Sequence, residues 1–131
     1  MTKTLKSKDS LAKARAYALR LLSYRARSRK ELLGRLNEKG FSEADTAQTL
    51  LSLEKAGLVN DPLLAQDLLR YASERKHLGT RGIYVFLIKR GIEKPLINEV
   101  LETHTNESEE QAARIFAEKK LNTLRTHPPH I

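Results

Sequence analysis

The same order of helix starts and helix stops occurs twice in this sequence, and this repetition restricts the fold more than any other feature. Gly91 follows Gly40 by 51 positions, and at that offset Leu87 falls on Leu36. Repetition at such a period is typical of arrays in which each unit is a small group of helices that shares apolar surface with its neighbours. We therefore predict an all-α fold of tandem three-helix repeats in an elongated array.

The first unit carries the signals of three helices. Apolar residues recur at helical spacing over Ser10–Ala26, and Ser28 with Glu31 forms a capping box that satisfies two free backbone N–H groups of helix two. Gly40 is suited to end helix two in the left-handed conformation, and helix three is predicted from Ser42 to Gly57. The residues expected on the buried sides are Leu11, Ala14, Ala18, Leu21, Leu22, Leu32, Leu33, Leu36, Ala47, Leu50, Leu51 and Leu53.

The pattern then begins again. Asp61 is predicted to cap helix four with Pro62 at its first helical position, Thr80 to cap helix five and Pro95 to open helix six. The segment Asn106–Glu109 offers a cap for a seventh helix, and helix is preferred over a short buried strand for Ile83–Ile88 because of the flanking caps. The residues expected to form the apolar stripes are Leu64, Leu68, Leu69, Ala72, Ile83, Phe86, Leu87, Ile97, Val100, Leu101, Ala112, Ile115, Phe116 and Leu121.

These signals divide the chain into five segments. We predict a flexible N-terminal tail over residues 1–9, a first three-helix repeat over 10–60 and a second over 61–105. Residues 106–126 supply only the first helix of a third repeat, and 127–131 form a flexible tail that contains two prolines. Three short helices bury little apolar area on their own, so each unit is expected to depend on its neighbour for stability.

Positive charge is concentrated in the first half of the chain. The net charge is +8 overall, and it is +7 over residues 1–60 but +1 over 61–105 and 0 over 106–131. Such asymmetry favours either a polyanionic partner or a basic face that only aids solubility.

Two basic clusters, one around the first helix junction of each unit, are the candidate binding residues. A repeated positive ridge of this kind could follow a phosphate backbone or an acidic groove, and we favour binding over simple solvation. The candidates are Arg20, Arg25, Arg27, Arg29, Lys30, Arg35, Lys39, Arg70, Arg75, Lys76, Arg81, Lys89 and Arg90.

The sequence offers no candidate for catalysis, so we expect a protein that is not an enzyme and uses no cofactor. There are no cysteines, and His127 and His130 in the proline-containing tail lack further metal ligands. Without a signal sequence or a membrane-spanning run, a cytoplasmic protein is expected. We also expect a monomer.

With these residues in view, the chain resembles the RecX regulatory proteins over about residues 10–125. The resemblance lies in the order and spacing of many positions rather than in one motif. In the first unit these are Ser28, Glu31, Leu32, Leu36, residues 39–41, Leu50, Leu53 and residues 57–61. In the second unit they are Leu64, Ala65, Lys76, Gly79, Ile83, Leu87, residues 89–92, Val100 and Leu101.

Membership of that family implies a curved array that binds in the groove of the RecA filament on single-stranded DNA. It further implies inhibition of filament growth, ATP hydrolysis, strand exchange and RecA-assisted repressor cleavage, and thus roles in DNA repair, recombination and the SOS response. The departure from the family is the third repeat, which stops after one helix. Two other interpretations use the same features: a stand-alone DNA-binding protein of the helix-turn-helix kind, binding single- or double-stranded DNA, and a scaffold for an acidic protein.

Overall fold

The structure, a computed structural model, describes residues 3–126, and these form six helices without a strand. The prediction of an all-α chain is therefore confirmed, and the segment Ile83–Ile88 is helical. The helices are α1 (Lys3–Tyr24), α2 (Arg29–Lys39), α3 (Glu43–Lys55), α4 (Asp61–Glu74), α5 (Thr80–Lys89) and α6 (Lys94–Thr126).

Two separate apolar cores divide these helices into two groups of three. In the first, α1, α2 and α3 pack on one another around Leu32, Leu36 and Leu50, which are fully buried. In the second, α4, α5 and α6 enclose Leu87 and Ile97 in the same way. Each group thus closes its own core, and the contact between the groups must come from other residues.

Several helix ends follow the sequence signals. Glu31 N–H donates to Ser28 Oγ at 3.1 Å while Ser28 N–H donates to Glu31 Oε1 at 3.0 Å, which completes the predicted capping box. The Ser42 hydroxyl caps α3 by accepting from Asp45 N–H at 3.1 Å. Gly40 and Gly91 have φ of +92° and +82°, a backbone conformation that residues with a Cβ rarely adopt. Two equivalent glycines therefore end α2 and α5.

Two predicted caps are wrong by one residue. Asn60, not Asp61, caps α4, since its extended backbone lets its side chain accept from Leu63 N–H at 3.1 Å. Gly79, not Thr80, occupies the cap position of α5 without a side-chain hydrogen bond, because it is the last extended residue and Thr80 is already helical. Asp61 is consequently free to bond elsewhere.

The predicted break before a seventh helix is absent, because α6 continues through Asn106–Glu109 to Thr126. In the first unit α3 ends where Gly57 turns to a φ of +75°. The aligned residue in the second unit is Ser108, for which that conformation is costly. The sequence therefore has no glycine to stop the helix at this point.

The ends of the chain also differ from the expected ones. Helix α1 begins at Lys3, inside the segment predicted as a flexible tail, and it ends at Tyr24 rather than Ala26. No proline or glycine lies between Lys3 and Ser10, so the helix can extend in that direction. Residues 127–131, including His127 and His130, lie outside the described residues.

Helix α3 buries a different face from the predicted one. Ala47 and Leu51 were expected inside, yet both are exposed. Thr46 and Thr49 are buried instead, in line with Leu50 and Leu53 at helical spacing. The prediction followed the apolar residues alone, whereas α3 packs between α1 and α2 and its buried face is set by that position.

The stripe predicted for helix seven is exposed in its entirety. Its members Ala112, Ile115, Phe116 and Leu121 lie on the distal part of α6, beyond the second core.

Replacing Thr46 or Thr49 with valine should stabilise the protein. Both hydroxyls are buried and have no hydrogen-bond partner within residues 3–126. Removal of an unsatisfied hydroxyl should raise the free energy of unfolding by about 1 kcal/mol for each of Thr46→Val and Thr49→Val, measured by urea denaturation. Thr103→Val is the matched control, since that exposed hydroxyl donates to the Glu99 carbonyl at 3.1 Å. Loss of stability in both core variants would contradict the prediction.

Candidate binding surface and the junction between the units

The predicted basic residues lie at the surface, with two exceptions. Arg27 and Arg90 are half-buried, whereas the others are exposed. The exposed residues are Arg20, Arg25, Arg29, Lys30, Arg35, Lys39, Arg70, Arg75, Lys76, Arg81 and Lys89.

Arg90 joins the second unit to the first. Its Nε lies 3.2 Å from Glu31 Oε2, and its Nη2 donates to the Ala26 carbonyl at 3.0 Å. Only 16% of the Arg90 side chain and 17% of the Glu31 side chain are exposed. Arg25 Nη2 lies 3.3 Å from the same Glu31 oxygen, and the other oxygen accepts from Ser28 N–H. One carboxylate therefore caps α2 and binds an arginine from each unit.

Gly91 allows the backbone of the second unit to approach the start of α2 closely. A Cβ placed on Gly91 would lie 2.6 Å from Ser28 Oγ and 3.1 Å from Lys30 Cβ. Ser28 is itself fully buried. Glycine at this position thus satisfies both the left-handed turn and the contact between the units.

A second contact at the start of α2 comes from the start of α4. Asp61 Oδ1 accepts from Arg29 N–H at 3.0 Å, and Arg29 Nε lies 3.1 Å from Glu54 Oε1. Burial raises the pKa of the Asp61 carboxyl above its ordinary value, although the hydrogen bond from Arg29 opposes this shift. The N-terminus of α2 is therefore the meeting point of the two units.

Sequence reasoning placed Arg25, Arg29 and Arg90 among the binding candidates, but each of them takes part in an ion pair within the protein. It identified Glu31 and Asp61 only as helix-capping residues. The alignment of the repeats places Arg90 on Lys39, which indicates a cation at the end of both helices but not the unit that it contacts. Contacts between residues 59 positions apart, such as Arg90 with Glu31, leave no periodic signal.

Arg27 is surrounded by other cations. Its pKa is lowered first by burial, then by the positive charges of Arg25 and Arg35 and, more weakly, of Arg90. The Glu31 carboxylate acts in the opposite direction. The guanidinium remains charged at neutral pH, since the ordinary pKa of an arginine lies far above neutrality. Cations of both units thus lie within electrostatic range of one another at the junction.

Three of the remaining candidates lie against aromatic rings. Arg20 and Lys39 are 5.7 and 5.3 Å from the centre of the Tyr17 ring, and Lys76 is 5.4 Å from that of Phe86. Such contacts orient a cation without neutralising it. These charges stay available to an external anion.

Arg70 lines a groove of about 360 Å³ between α4 and α6. Glu74, Glu99 and Glu107 share the lining with it. This groove therefore has mixed charge, unlike the cluster around Arg27. Among the candidates, Lys30, Arg35, Arg75, Arg81 and Lys89 are exposed and form no ion pair within the described residues. These five are called the free cations below.

Within residues 3–126 no three His, Cys, Asp or Glu side chains converge as they would around a metal ion. None of the helices described is both long and apolar enough to cross a membrane.

Replacing Arg90 with alanine should separate the structural role of the junction from the surface role of its neighbours. Arg90→Ala leaves the half-buried Glu31 carboxylate without its partner from the second unit, which should lower the free energy of unfolding by about 1–3 kcal/mol. Lys89→Ala removes an adjacent exposed cation and should change it by less than about 0.5 kcal/mol. Urea denaturation measures both values, and equal losses would refute the role assigned to Arg90.

Because burial raises the pKa of Asp61, the free energy of unfolding should depend on pH. Because the folded pKa is raised above the ordinary 3.8, the carboxyl is most favourable to folding when protonated. Asp61→Asn keeps an oxygen that can accept from Arg29 N–H but does not titrate. The unfolding free energy of the unaltered protein minus that of the variant should therefore be largest below pH 3.8 and should fall as pH rises through the folded pKa. A difference that rises with pH would show that the hydrogen bond, not burial, dominates.

Comparison with known proteins agrees with the structure. Residues 14–53 match a family model described as RecX, first three-helix domain. The regulatory protein RecX of Amycolatopsis mediterranei is 33% identical over 121 residues, which cover 92% of this chain and 69% of that protein. The RecX proteins of Clostridium botulinum and Corynebacterium efficiens are 29% and 35% identical, and the chain spans 57% and 54% of their lengths.

The solved structures give the same result. The crystal structure of RecX from Lactobacillus salivarius superposes with a TM-score of 0.73 at 26% identity, over 94% of this chain and 79% of that one. The structure has two three-helix groups, and the first of them matches the family model. A relative that is 33% identical is matched over more than two thirds of its length. The chain belongs to the RecX family.

Proposed function

We propose that this protein binds the RecA filament on single-stranded DNA and restrains its recombinase, ATPase and coprotease activities. One observation carries the proposal: cations of both units meet at the junction, where Arg25 of the first unit and Arg90 of the second lie 3.3 and 3.2 Å from the same Glu31 oxygen. Positive charge that continues from one unit to the next is suited to a long polyanionic surface. The regulatory names of the relatives support the same role.

The junction gives this surface a defined shape. Glu31, Arg90 and Gly91 fix the second unit against the first, so the charges of the two units keep a constant spacing. A pre-arranged set of cations loses less conformational entropy on binding than a flexible one. The filament is itself a repeating structure, and a rigid array that contacts neighbouring protomers blocks growth by occupying the surface.

The mechanism needs no catalytic group. Bound protein covers the site that the next RecA subunit would use, and the equilibrium shifts towards shorter filaments. We place this activity in the cytoplasm, in DNA repair, recombination and the SOS response. As part of the same proposal, we divide the chain into a first repeat over residues 10–60, a second over 61–105 and the start of a third over 106–126.

Charge reversal at the free cations should weaken the inhibition of RecA. In Lys30→Glu/Arg35→Glu both changes fall on exposed residues outside the ion pairs, so the fold should persist. We expect at least about a tenfold loss of inhibition and a weaker dependence on salt, since contacts to phosphates are salt-sensitive. RecA-dependent ATP hydrolysis and filament length on single-stranded DNA are the measurements.

The matched control is Arg15→Glu/Lys55→Glu, which changes the net charge equally at exposed residues that lie outside both the candidate set and the ion pairs. Equal losses of inhibition in the two variants would show that net charge alone causes the effect, which would contradict a specific binding surface. If the unaltered chain leaves RecA unaffected but binds duplex DNA tightly, the stand-alone DNA-binding function replaces the proposal.

A further inference from the structure

The two units meet through few contacts, because neither contributes to the core of the other. Among the described residues, each apolar core takes its side chains from one unit alone, and the helices that pack extensively on one another belong to the same unit. Two folded units move relative to each other unless a large apolar interface prevents it. Whether these two units move therefore depends on the polar contacts of the junction and on the segment that connects them.

The connecting segment is short, and rotation can occur at one point in it. Val59 is 5% exposed and belongs to the first core, whereas the side chain of Asn60 caps α4 of the second unit. Neighbouring residues are thus fixed to different units, and a rotation between the units must fall on the backbone bonds between them. Asn60 is exposed and its backbone is extended, a broad conformational region that leaves room for such a rotation. We call Val59 and Asn60 the pivot.

Three contacts between the units, which we call the latch, hold the second unit in place: Arg90 with Glu31, Gly91 with Ser28, and Asp61 with Arg29 N–H. The ion pair and the hydrogen bond join groups that water solvates when the latch opens, so their net contribution is modest. Gly91 has no side chain, and its fit on Ser28 therefore buries little apolar surface. Unfolding of a unit instead exposes fully buried leucines, such as Leu36 and Leu87. Opening the latch thus costs less free energy than unfolding a unit.

We infer that the latch opens while both units stay folded, so that the second unit swings as a rigid body about the pivot. The structure described here is the closed form. In the open form Arg90 no longer pairs with Glu31, and the cations of the two units lose their constant spacing. This departs from the expectation that each unit depends on its neighbour for stability. The inference concerns the shape of the chain and is independent of the proposed function.

The distance between two spin labels, one on each unit, tests the inference on the protein without RecA. The chain has no cysteine, so Ala16→Cys and Asn98→Cys place labels at two exposed residues and nowhere else. Double electron–electron resonance should give one narrow distribution of distances for this chain, because an open form populated to about 10% or less adds little to it. Arg90→Ala and Gly91→Ala should each raise the open population at least about tenfold and broaden the distribution, while circular dichroism shows the same helix content.

Gly40→Ala is the matched control for Gly91→Ala. Both glycines have positive φ, so alanine is strained at either position. A Cβ on Gly40 meets no atom within 4 Å, whereas one on Gly91 would lie 2.6 Å from Ser28 Oγ. Gly40→Ala should therefore keep the narrow distribution. Ser28→Ala/Gly91→Ala removes the obstructing oxygen and should shift the distribution back towards that of the unaltered junction.

Three results would overturn the inference. A narrow distribution in both Arg90→Ala and Gly91→Ala would show that other contacts hold the units in place. Loss of helix content in those two variants would show that the units do not fold separately. Equal broadening in Gly40→Ala and Gly91→Ala would show that backbone strain, and not the latch, causes the movement.

Discussion

The arrangement of the two units depends on one carboxylate, that of Glu31. It accepts the backbone N–H of Ser28, pairs with Arg25 of the first unit and pairs with Arg90 of the second. A carboxylate that is 17% exposed is costly to desolvate, and here hydrogen bonds and two guanidinium groups offset that cost. The two apolar cores close separately. These polar contacts, the hydrogen bond from Arg29 N–H to Asp61 and the fit of Gly91 on Ser28 therefore hold the units together.

This arrangement divides the arginines and lysines of the chain into two classes. Arg25, Arg29 and Arg90 form ion pairs that hold helices together, and they still contribute positive potential at the junction. Other cations, such as Arg35 and Lys89, are exposed and form no ion pair within the described residues. A basic composition alone does not distinguish the two classes. Under the proposed function, the free class supplies the residues that are expected to contact a polyanionic partner.

Local chemistry explains which parts of the fold could be predicted from the sequence. The capping box at Ser28 and the left-handed turns at Gly40 and Gly91 depend on residues within a few positions, so their patterns are sufficient. The buried Thr46 and Thr49 depend instead on how α3 packs between two other helices, and a pattern of apolar residues misplaces that face. The candidate cations were found from charge alone, but their pairing with Glu31 and Glu54 is tertiary.

The dual use of Glu31 has an evolutionary consequence. As a cap alone, the Ser28–Glu31 pair could be exchanged for asparagine or aspartate at the cap position with little loss, as happens at many helix starts. Here the glutamate must also receive Arg90, and Gly91 must leave room for Ser28 Oγ. Four positions in two different repeats are thus constrained to change together. A substitution at one of these positions in either unit therefore affects the other unit, even though the two cores are separate.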